Sequence, residues 1–288
     1  MTQQEVKLEQ QWEELFPKTK IIAIGSGKGG VGKSTVTANL AFTLAKLGYK
    51  IGVIDADIYG FSLPRIMGLT QEPEIIDKKY IQPLERSGVK MISMGSFVDE
   101  EQPLAWRGPV LAGILEQFFR EVQWGKLDYL LLDMPPGTGD VALTLFQQLP
   151  KAYFVIVTTP QAAAYHVSVR LGYLANQVKK DTIGIIENMA YFICNNCNEK
   201  HYIFGDSKEA VKDVAAKLQI PVLGSIPLRT EIRSLSDQGI PVVLENDEVA
   251  EDYASIAQKM IEQIEKTEQI RASRPAEPEK TLCSISGG

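Results

Sequence analysis

Cysteine is scarce in this sequence, with three among 288 residues, namely Cys194, Cys197 and Cys283. A secreted disulfide scaffold needs an even and denser set of cysteines, so that class of protein is excluded. Residues 1–14 are polar and acidic, so they do not predict a secretory signal. The sequence therefore predicts a protein of the reducing cytoplasm, in which Cys283 is an incidental exposed thiol.

Long apolar runs and an excess of positive charge are also missing. No run approaches the about 18 consecutive apolar residues that a membrane-spanning helix requires. The formal net charge is −6, which is opposite in sign to the basic surface of a general nucleic-acid binder. We therefore expect neither a membrane nor a nucleic acid as a partner.

The sequence does contain a repeated alternation of short apolar runs with helical patterns. The runs are continuously apolar, as is typical of parallel strands buried on both faces. This alternation predicts an α/β doubly wound fold, with a mostly parallel sheet and helices on both faces. The predicted strands are residues 21–24, 51–54, 89–94, 129–132, 154–158, 183–187 and 222–226.

A glycine-rich loop between the first strand and the first helix is the most specific motif. Residues 27–34 fit the phosphate-loop pattern G-x-x-x-x-G-K-S. Glycines let backbone amides face phosphate oxygens, and the helix directs its positive end at the same anion. Lys33 is predicted to contact the outer phosphates, and the Ser34 hydroxyl to bind Mg²⁺. The predicted ATP-binding residues of the loop are Gly27, Lys28, Gly29, Gly30, Val31, Gly32, Lys33, Ser34 and Thr35.

Aspartates follow two of the predicted strands. Asp133 comes directly after an apolar run, which is the Walker B arrangement, and is predicted to hold Mg²⁺ through water. Asp55 and Asp57 follow the second strand. Asp57 lies further into the loop, so it is predicted to bind Mg²⁺ and orient the attacking water. Such aspartates also cap helices and form turns, but a phosphate loop nearby favours catalysis.

Lys28 lies inside the phosphate loop, where the plain motif requires no lysine. We expect it to point away from its own nucleotide and toward that of a partner. Lys28, Lys33 and Asp57 are the predicted catalytic residues. No strong general base is visible near the loop, so turnover is predicted to be slow.

The predicted organisation is one domain between two short flanking segments. Residues 1–20 form a polar lead-in with a sparse apolar stripe and are expected to lie outside the core. Residues 21–268 form a single P-loop ATPase domain that carries an insertion near residues 190–205. Residues 269–288 are polar and proline-containing, which predicts a disordered tail. An amphipathic helix over residues 249–264 has an acidic polar face, which favours packing on the domain over membrane attachment.

Cys194 and Cys197 have the C-x₂-C spacing that brings two thiolates to one metal or cluster. Three interpretations stay open, namely a redox pair, a zinc site that adds His201, and an iron–sulfur cluster. A cluster normally takes four thiolates, and one chain supplies only this close pair. The cluster interpretation therefore requires a homodimer with the site on its symmetry axis.

With these motifs assembled, the sequence resembles the Mrp-type iron–sulfur cluster carriers. These proteins are deviant Walker A ATPases, related to MinD-type and ParA-type proteins and to the nitrogenase iron protein. The resemblance spans roughly residues 20–265. The stretches that carry it are residues 25–35, 55–60, 106–109, 132–140, 187–189, the cysteine pair and 203–205.

The resemblance implies roles for individual residues. Lys28 would reach the nucleotide of the partner subunit and neutralise transition-state charge, as an arginine finger does. Asp57 would be the switch I aspartate, and Asn188 would contact the adenine. Cys194 and Cys197 would bind a [4Fe-4S] cluster shared across a homodimer. The implied function is an ATP-dependent carrier that passes the cluster to apo-proteins.

Two features depart from the family pattern. Many relatives carry an additional N-terminal domain, for which residues 1–20 are too short. Many also have Cys-Pro-x-Cys-Gly, whereas this chain has Asn195 and Asn198 at the corresponding positions.

The alternative function is a MinD-like or ParA-like positioning or regulatory ATPase with a structural zinc at the cysteine pair. A positioning ATPase predicts a basic amphipathic helix or basic patch, and the acidic Glu262 and Glu265 speak against it. A reductase like the nitrogenase iron protein takes one cysteine from each of two separate loops. No cysteine precedes Cys194, so this interpretation ranks last.

Overall fold

The computed structural model describes residues 10–97, 108–149, 151–194, 196–205 and 207–273. Trp106 and Arg107 of the stretch at 106–109 therefore lie outside the described residues. The strands are β1 Lys20–Gly25, β2 Ile51–Asp55, β3 Ile75–Ile76, β4 Tyr80–Ile81, β5 Leu84–Arg86, β6 Val89–Ser93, β7 Tyr129–Asp133, β8 Tyr153–Thr158, β9 Asp181–Ile193, β10 Lys200–His201 and β11 Val222–Leu228.

Helices separate most of these strands along the chain. The helices are α1 (residues 10–15), α2 Lys33–Lys46, α3 Leu63–Met67, α4 Gly108–Glu121, α5 Asp140–Gln147, α6 Ala162–Gln177, α7 Ser207–Leu218, α8 Thr230–Asp237 and α9 Asp247–Ser273. Two short 3₁₀ helices cover Met94–Phe97 and Val242–Leu244.

The large sheet has the strand order β10-β9-β8-β1-β7-β2-β6-β5, and β11 also pairs with β9. Every pairing from β11 through β9, β8, β1, β7 and β2 to β6 is parallel. β5 and β10 pair antiparallel to their neighbours. The structure thus confirms the predicted α/β fold with a mostly parallel sheet.

Side-chain alternation along the central strands explains why helices cover both faces. In β1, Ile22 and Ile24 face one core cluster, whereas Ile21 and Ala23 face the other. The first cluster includes residues of α2, α3 and α9, and the second includes residues of α1, α4, α5, α6 and α7. Because both faces are buried, the strands read as the continuous apolar runs seen in the sequence.

The sheet register brings the ends of three central strands together. Ile24 in β1 and Asp55 in β2 both lie opposite Asp133 in β7. The strands are parallel, so their carboxyl ends lie at one edge, where open α/β sheets bind ligands. The phosphate loop begins directly after β1 at the same edge.

The N-terminal lead-in contributes to the core, so the expectation that it lies outside is wrong for two aromatic residues. Trp12 and Phe16 are each only 8% exposed. The Trp12 and Phe119 rings lie 4.1 Å apart, edge to face, and the Trp12 indole N–H donates to the Gln148 carbonyl. Each aromatic ring buries a large area, so a sparse stripe is enough to anchor the segment.

The last helix extends further than predicted at both ends. Its predicted apolar face is buried against the sheet, but α9 continues to Ser273. The prediction of a tail starting at residue 269 is therefore wrong for residues 269–273. Arg271 explains the extension, since its guanidinium contacts the Asp181 carboxylate at 2.6 Å. Residues 274–288, with Cys283, lie outside the described residues.

β9 is also much longer than the predicted strand at residues 183–187. It runs to Ile193 because its end pairs with β10, which places Ile193 opposite Lys200 and Phe192 opposite His201. The cysteine pair therefore lies in a hairpin that continues a central strand.

Candidate nucleotide site and cysteine hairpin

The phosphate loop links β1 to α2 in a conformation that requires glycine. Gly30 and Gly32 have φ values of +79° and +80°, in the left-handed region. A Cβ added to Gly32 would lie 2.3 Å from the amide nitrogen of Asn188. The loop ends at the N-terminus of α2, which begins at Lys33. A glycine-rich loop followed by a helix N-terminus is the arrangement that binds phosphate.

A buried polar network centres on Asp133. Lys33 Nζ donates to Asp133 Oδ2 at 2.6 Å, and Ser34 Oγ donates to the same oxygen at 2.5 Å. Thr37 Oγ1 donates to the other carboxylate oxygen at 2.7 Å. Asp133 is fully buried and Lys33 is 5% exposed. The structure therefore brings together three residues that the sequence singled out, and their catalytic roles stay predictions.

Two further carboxylates complete the surroundings of Lys33. Its Nζ lies 3.3 Å from Asp57 Oδ2, and the Asp57 backbone N–H donates to Asp55 Oδ1. Ser93 Oγ donates to the other oxygen of Asp55. Three acidic residues therefore lie around one buried ammonium group.

Burial and the three neighbouring carboxylates shift the pKa values of the groups around Lys33. Burial raises the pKa of Asp55 well above its ordinary value, and the charge of Asp133 raises it further. Burial likewise raises the pKa of Asp57. Burial alone would lower the pKa of Lys33, but the charges of Asp133, Asp57 and Asp55 outweigh it, and the pKa is raised. Oxygen donors in excess of positive charge suit a hard divalent cation such as Mg²⁺.

Lys28 lies apart from this network. Its Nζ donates to Gln161 Oε1 at 2.5 Å, and Gln161 is the residue before α6. Lys28 therefore makes its side-chain bond to the N-terminal end of α6 rather than to Asp133. Its contact with the nucleotide of a partner stays a prediction.

Asn188 connects β9 to the phosphate loop. Its amide Nδ2 donates to the Val31 carbonyl at 2.8 Å. A cavity of about 330 Å³ opens beside it and beside the start of α2, a volume within the range of small-molecule sites. Its walls include Gly32, Thr35, Asn188, Leu228, Arg229 and Ile232.

The cysteine hairpin consists of the end of β9, the turn after it and β10. The Cys194 backbone N–H donates to the Glu199 carbonyl, and the Asn198 N–H donates back to the Cys194 carbonyl at 2.8 Å. Asn198 has a φ of +57°, which a tight turn requires. Asn195 lies outside the described residues. The pair joins two strands rather than starting a helix, so the geometry does not support a thioredoxin-like redox motif.

Three metal-ligating side chains converge at this turn. The sulfurs of Cys194 and Cys197 and a ring nitrogen of His201 all lie within 4.8 Å of one another. Both cysteines are free thiols. Hydrogen bonds from the backbone of Asn196 and of Cys197, and then from the Cys197 side chain, lower the pKa of Cys194. This favours the thiolate, which is the form that binds metal.

The sequence motifs do not predict two polar contacts at the nucleotide site, those of Thr37 with Asp133 and of Gln161 with Lys28. Thr37 follows Lys33 by four residues, which places it on the same helix face, so the sequence carried a signal for it. Gln161 carried none, because its contact with Lys28 depends on how α6 approaches the loop.

The fold and this site together define a P-loop nucleoside triphosphatase. The family model described as ParA, NUBPL iron-transfer P-loop NTPase, matches residues 18–264. The chain belongs to this family, which confirms the resemblance found in the sequence.

Curated relatives agree with the family. The chain is 49% identical over 240 residues to the iron-sulfur cluster carrier protein of Bacillus subtilis, covering 83% of this chain and 67% of that one. It is 45% identical over 249 residues to the protein of the same name from Aquifex aeolicus, covering 85% and 68%. The iron-sulfur cluster transfer protein NUBPL of Dictyostelium discoideum is 40% identical over 249 residues, with coverages of 85% and 76%.

Solved structures show the same fold. A nucleotide-binding protein from Archaeoglobus fulgidus, described in complex with ADP and with Co, is 36% identical with a TM-score of 0.69, covering 86% of this chain and 95% of that one. The cell division ATPase MinD of Pyrococcus furiosus is 24% identical with a TM-score of 0.65, covering 84% and 98%. The second likeness shows the fold alone. Among the helices of the described ranges, none is long and apolar enough to cross a membrane.

Proposed function

We propose that this chain is an ATP-hydrolysing iron–sulfur cluster carrier that holds a [4Fe-4S] cluster between two copies and passes it to apo-proteins. The observation that carries the proposal is that β9 serves both sites. Asn188 in this strand bonds to the phosphate loop, and Cys194 follows directly after its last residue. The names of the curated relatives support the same role.

ATP binding uses groups that are already in place. Backbone amides of the phosphate loop bind the phosphates, and Lys33 exchanges its bond with Asp133 for one with an outer phosphate oxygen. Oxygens of Ser34, Asp57 and Asp133 would hold Mg²⁺, which supplies charge neutralisation at the phosphates. Asn188 lies beside the cavity that would receive the adenine.

Hydrolysis engages a second copy. Lys28 leaves Gln161 and reaches the nucleotide of the partner, where it offsets the negative charge that develops in the transition state. Asp57 orients the attacking water. The dimer is therefore the unit that hydrolyses ATP, and its turnover is coupled to cluster binding or transfer.

The cluster is cargo held at the cysteine hairpin. One chain supplies two thiolates at this turn, whereas a [4Fe-4S] cluster takes four. Cys197 is exposed and Cys194 is only partly buried, so both sulfurs can meet those of a second copy. A cluster held at such a surface is also accessible to an apo-protein that receives it.

Anaerobic reconstitution with iron and sulfide tests the cluster function. Wild type is expected to gain the broad visible absorption of an iron–sulfur cluster, whereas the Cys194→Ser/Cys197→Ser variant stays colourless. Cys283→Ser is the matched control, because it removes the third cysteine and keeps the pair. Equal absorption of the double variant and wild type would contradict the proposal.

The same experiment separates the alternative of a positioning or regulatory ATPase with a structural zinc. Under that alternative, protein purified without oxygen contains zinc at the pair and gains no absorption with iron and sulfide. The likeness to MinD lies in the fold and does not by itself favour that function.

A further inference from the structure

The backbone of the cysteine hairpin places a histidine on the same face as a cysteine. His201 lies opposite Phe192 in the β9–β10 ladder. Cys194 is one residue beyond β9, but its backbone N–H donates to the Glu199 carbonyl, which continues the pairing. Side chains alternate along paired strands, so this register puts Cys194 on the face of Phe192 and His201. A diagonal pair of this kind is within reach of long side chains. The approach of His201 to Cys194 is therefore set by strand register.

The three donor atoms lie close enough for small side-chain rotations to bring them onto a single metal ion. Zinc lies about 2.3 Å from sulfur and about 2.0–2.1 Å from nitrogen, so a tetrahedral ion requires donor separations of about 3.6–3.8 Å. The two sulfurs and the ring nitrogen all lie within 4.8 Å of one another. Cys197 and His201 are exposed, so neighbouring side chains leave them room to rotate and close the remaining gap.

We propose that His201 is a third protein ligand at the cysteine pair, so that one chain by itself binds one divalent ion of borderline softness through two sulfurs and one imidazole nitrogen. The class of ion includes Zn²⁺, Fe²⁺ and Co²⁺, which accept both thiolate and imidazole ligands. This inference rests on the metal-binding role proposed above for Cys194 and Cys197.

The donor set predicts an exchangeable site. Structural zinc sites are closed by four protein ligands, whereas three ligands leave one position open for another group. His201 thus gives a single chain three of the four ligands of a tetrahedral ion. When two chains bring four thiolates to an iron–sulfur cluster, the imidazole is no longer required, so the two forms of the site differ in their dependence on His201.

Titration of the full-length, reduced chain with Co²⁺ in the absence of oxygen and sulfide tests the ligand set. Wild type is expected to bind one Co²⁺ per chain, with a sulfur-to-cobalt charge-transfer band and the d–d bands of tetrahedral cobalt. His201→Ala is expected to weaken binding by at least about 10- to 100-fold, which is the loss usual even for residues that only support a ligand, and to shift the d–d bands. The double cysteine variant is expected to lose the charge-transfer band.

His166 provides the matched control, because the sequence contains two histidines and His166 is exposed on α6. His166→Ala is expected to bind Co²⁺ as wild type does. With Zn²⁺, the ring-nitrogen NMR signals of His201 are expected to shift and those of His166 to stay. Wild-type affinity and spectrum in His201→Ala would overturn the proposal, as would unshifted His201 signals.

Reconstitution of His201→Ala with iron and sulfide keeps this inference separate from the proposed function. The variant is expected to gain a cluster as wild type does, because four thiolates suffice. Loss of Co²⁺ binding with an intact cluster supports both proposals. A chain that binds no Co²⁺ through sulfur, yet gains a cluster, overturns the three-ligand site and leaves the carrier function standing.

Discussion

The nucleotide site and the cysteine hairpin share one strand, β9, but differ in what surrounds them. At the nucleotide site, Asp133 is fully buried and accepts hydrogen bonds from Lys33, Ser34 and Thr37. At the hairpin, the donors lie at the surface, and Cys197 is exposed. Burial among fixed hydrogen bonds holds the side chains of the first site in place, whereas we propose that the second is completed by a metal ion or a second copy. Substitutions should therefore disturb folding at the first site and only binding at the second.

The largest expected effect is that of a substitution at Lys28. It tests whether the nucleotide site of one chain needs a lysine from a second chain to hydrolyse ATP. Lys28→Ala is expected to lower the ATP turnover number by about 10³-fold or more, which is the loss typical of a charge supplied in trans. The fold should be spared, because the side chain is half-exposed. Steady-state hydrolysis assays measure the effect, with the exposed Lys126→Ala as control. Wild-type turnover in Lys28→Ala would remove the role in trans.

The next effect concerns the stability of the buried network. Asp133→Asn is expected to lower the free energy of unfolding by about 3 kcal/mol, because Lys33 loses its closest buried counter-charge. Urea denaturation of the nucleotide-free protein measures the change. Asp140→Asn is the matched control, since Asp140 is exposed and should change stability by less than about 0.5 kcal/mol. Equal stability of the two variants would mean that the network is not preorganised by burial.

The smallest effect on stability is expected for substitutions in the cysteine hairpin. In the metal-free protein, Cys194→Ser/Cys197→Ser is expected to change the free energy of unfolding by less than about 0.5 kcal/mol, because neither thiol lies in the core. The same urea series measures it. A loss of about 2 kcal/mol or more would contradict the view that the hairpin is finished only by its ligand.

The two regions also differ in how far the sequence predicts them. The phosphate loop and Asp133 were predictable, because local motifs encode them and the strand order then brings them together. Asp57 follows β2 and Lys33 follows β1, and the carboxyl ends of these strands lie at the same edge of the sheet. Their proximity was therefore also predictable. The pairing of β10 with the end of β9 was not predictable, because a two-residue strand carries no periodic signal. The sequence names His201 as a candidate zinc ligand, but the register that brings it beside Cys194 needed the structure.

Long-range contacts account for the differences between the predicted and the observed structure of the two flanking segments. Trp12 packs on Phe119, and Arg271 pairs with Asp181. Each contact joins segments far apart in the chain, so neither leaves a local pattern in the sequence. The polar composition of both flanking segments instead predicted that they lie away from the domain.

The stoichiometry of the reconstituted protein tests the central proposal most directly, namely that two copies together supply the four thiolates of the cluster. Iron and sulfide analysis combined with sedimentation of the anaerobic protein gives the iron per chain and the mass of the loaded species. We predict one [4Fe-4S] cluster per dimer, thus about two irons per chain. A monomer carrying a complete cluster would contradict the account.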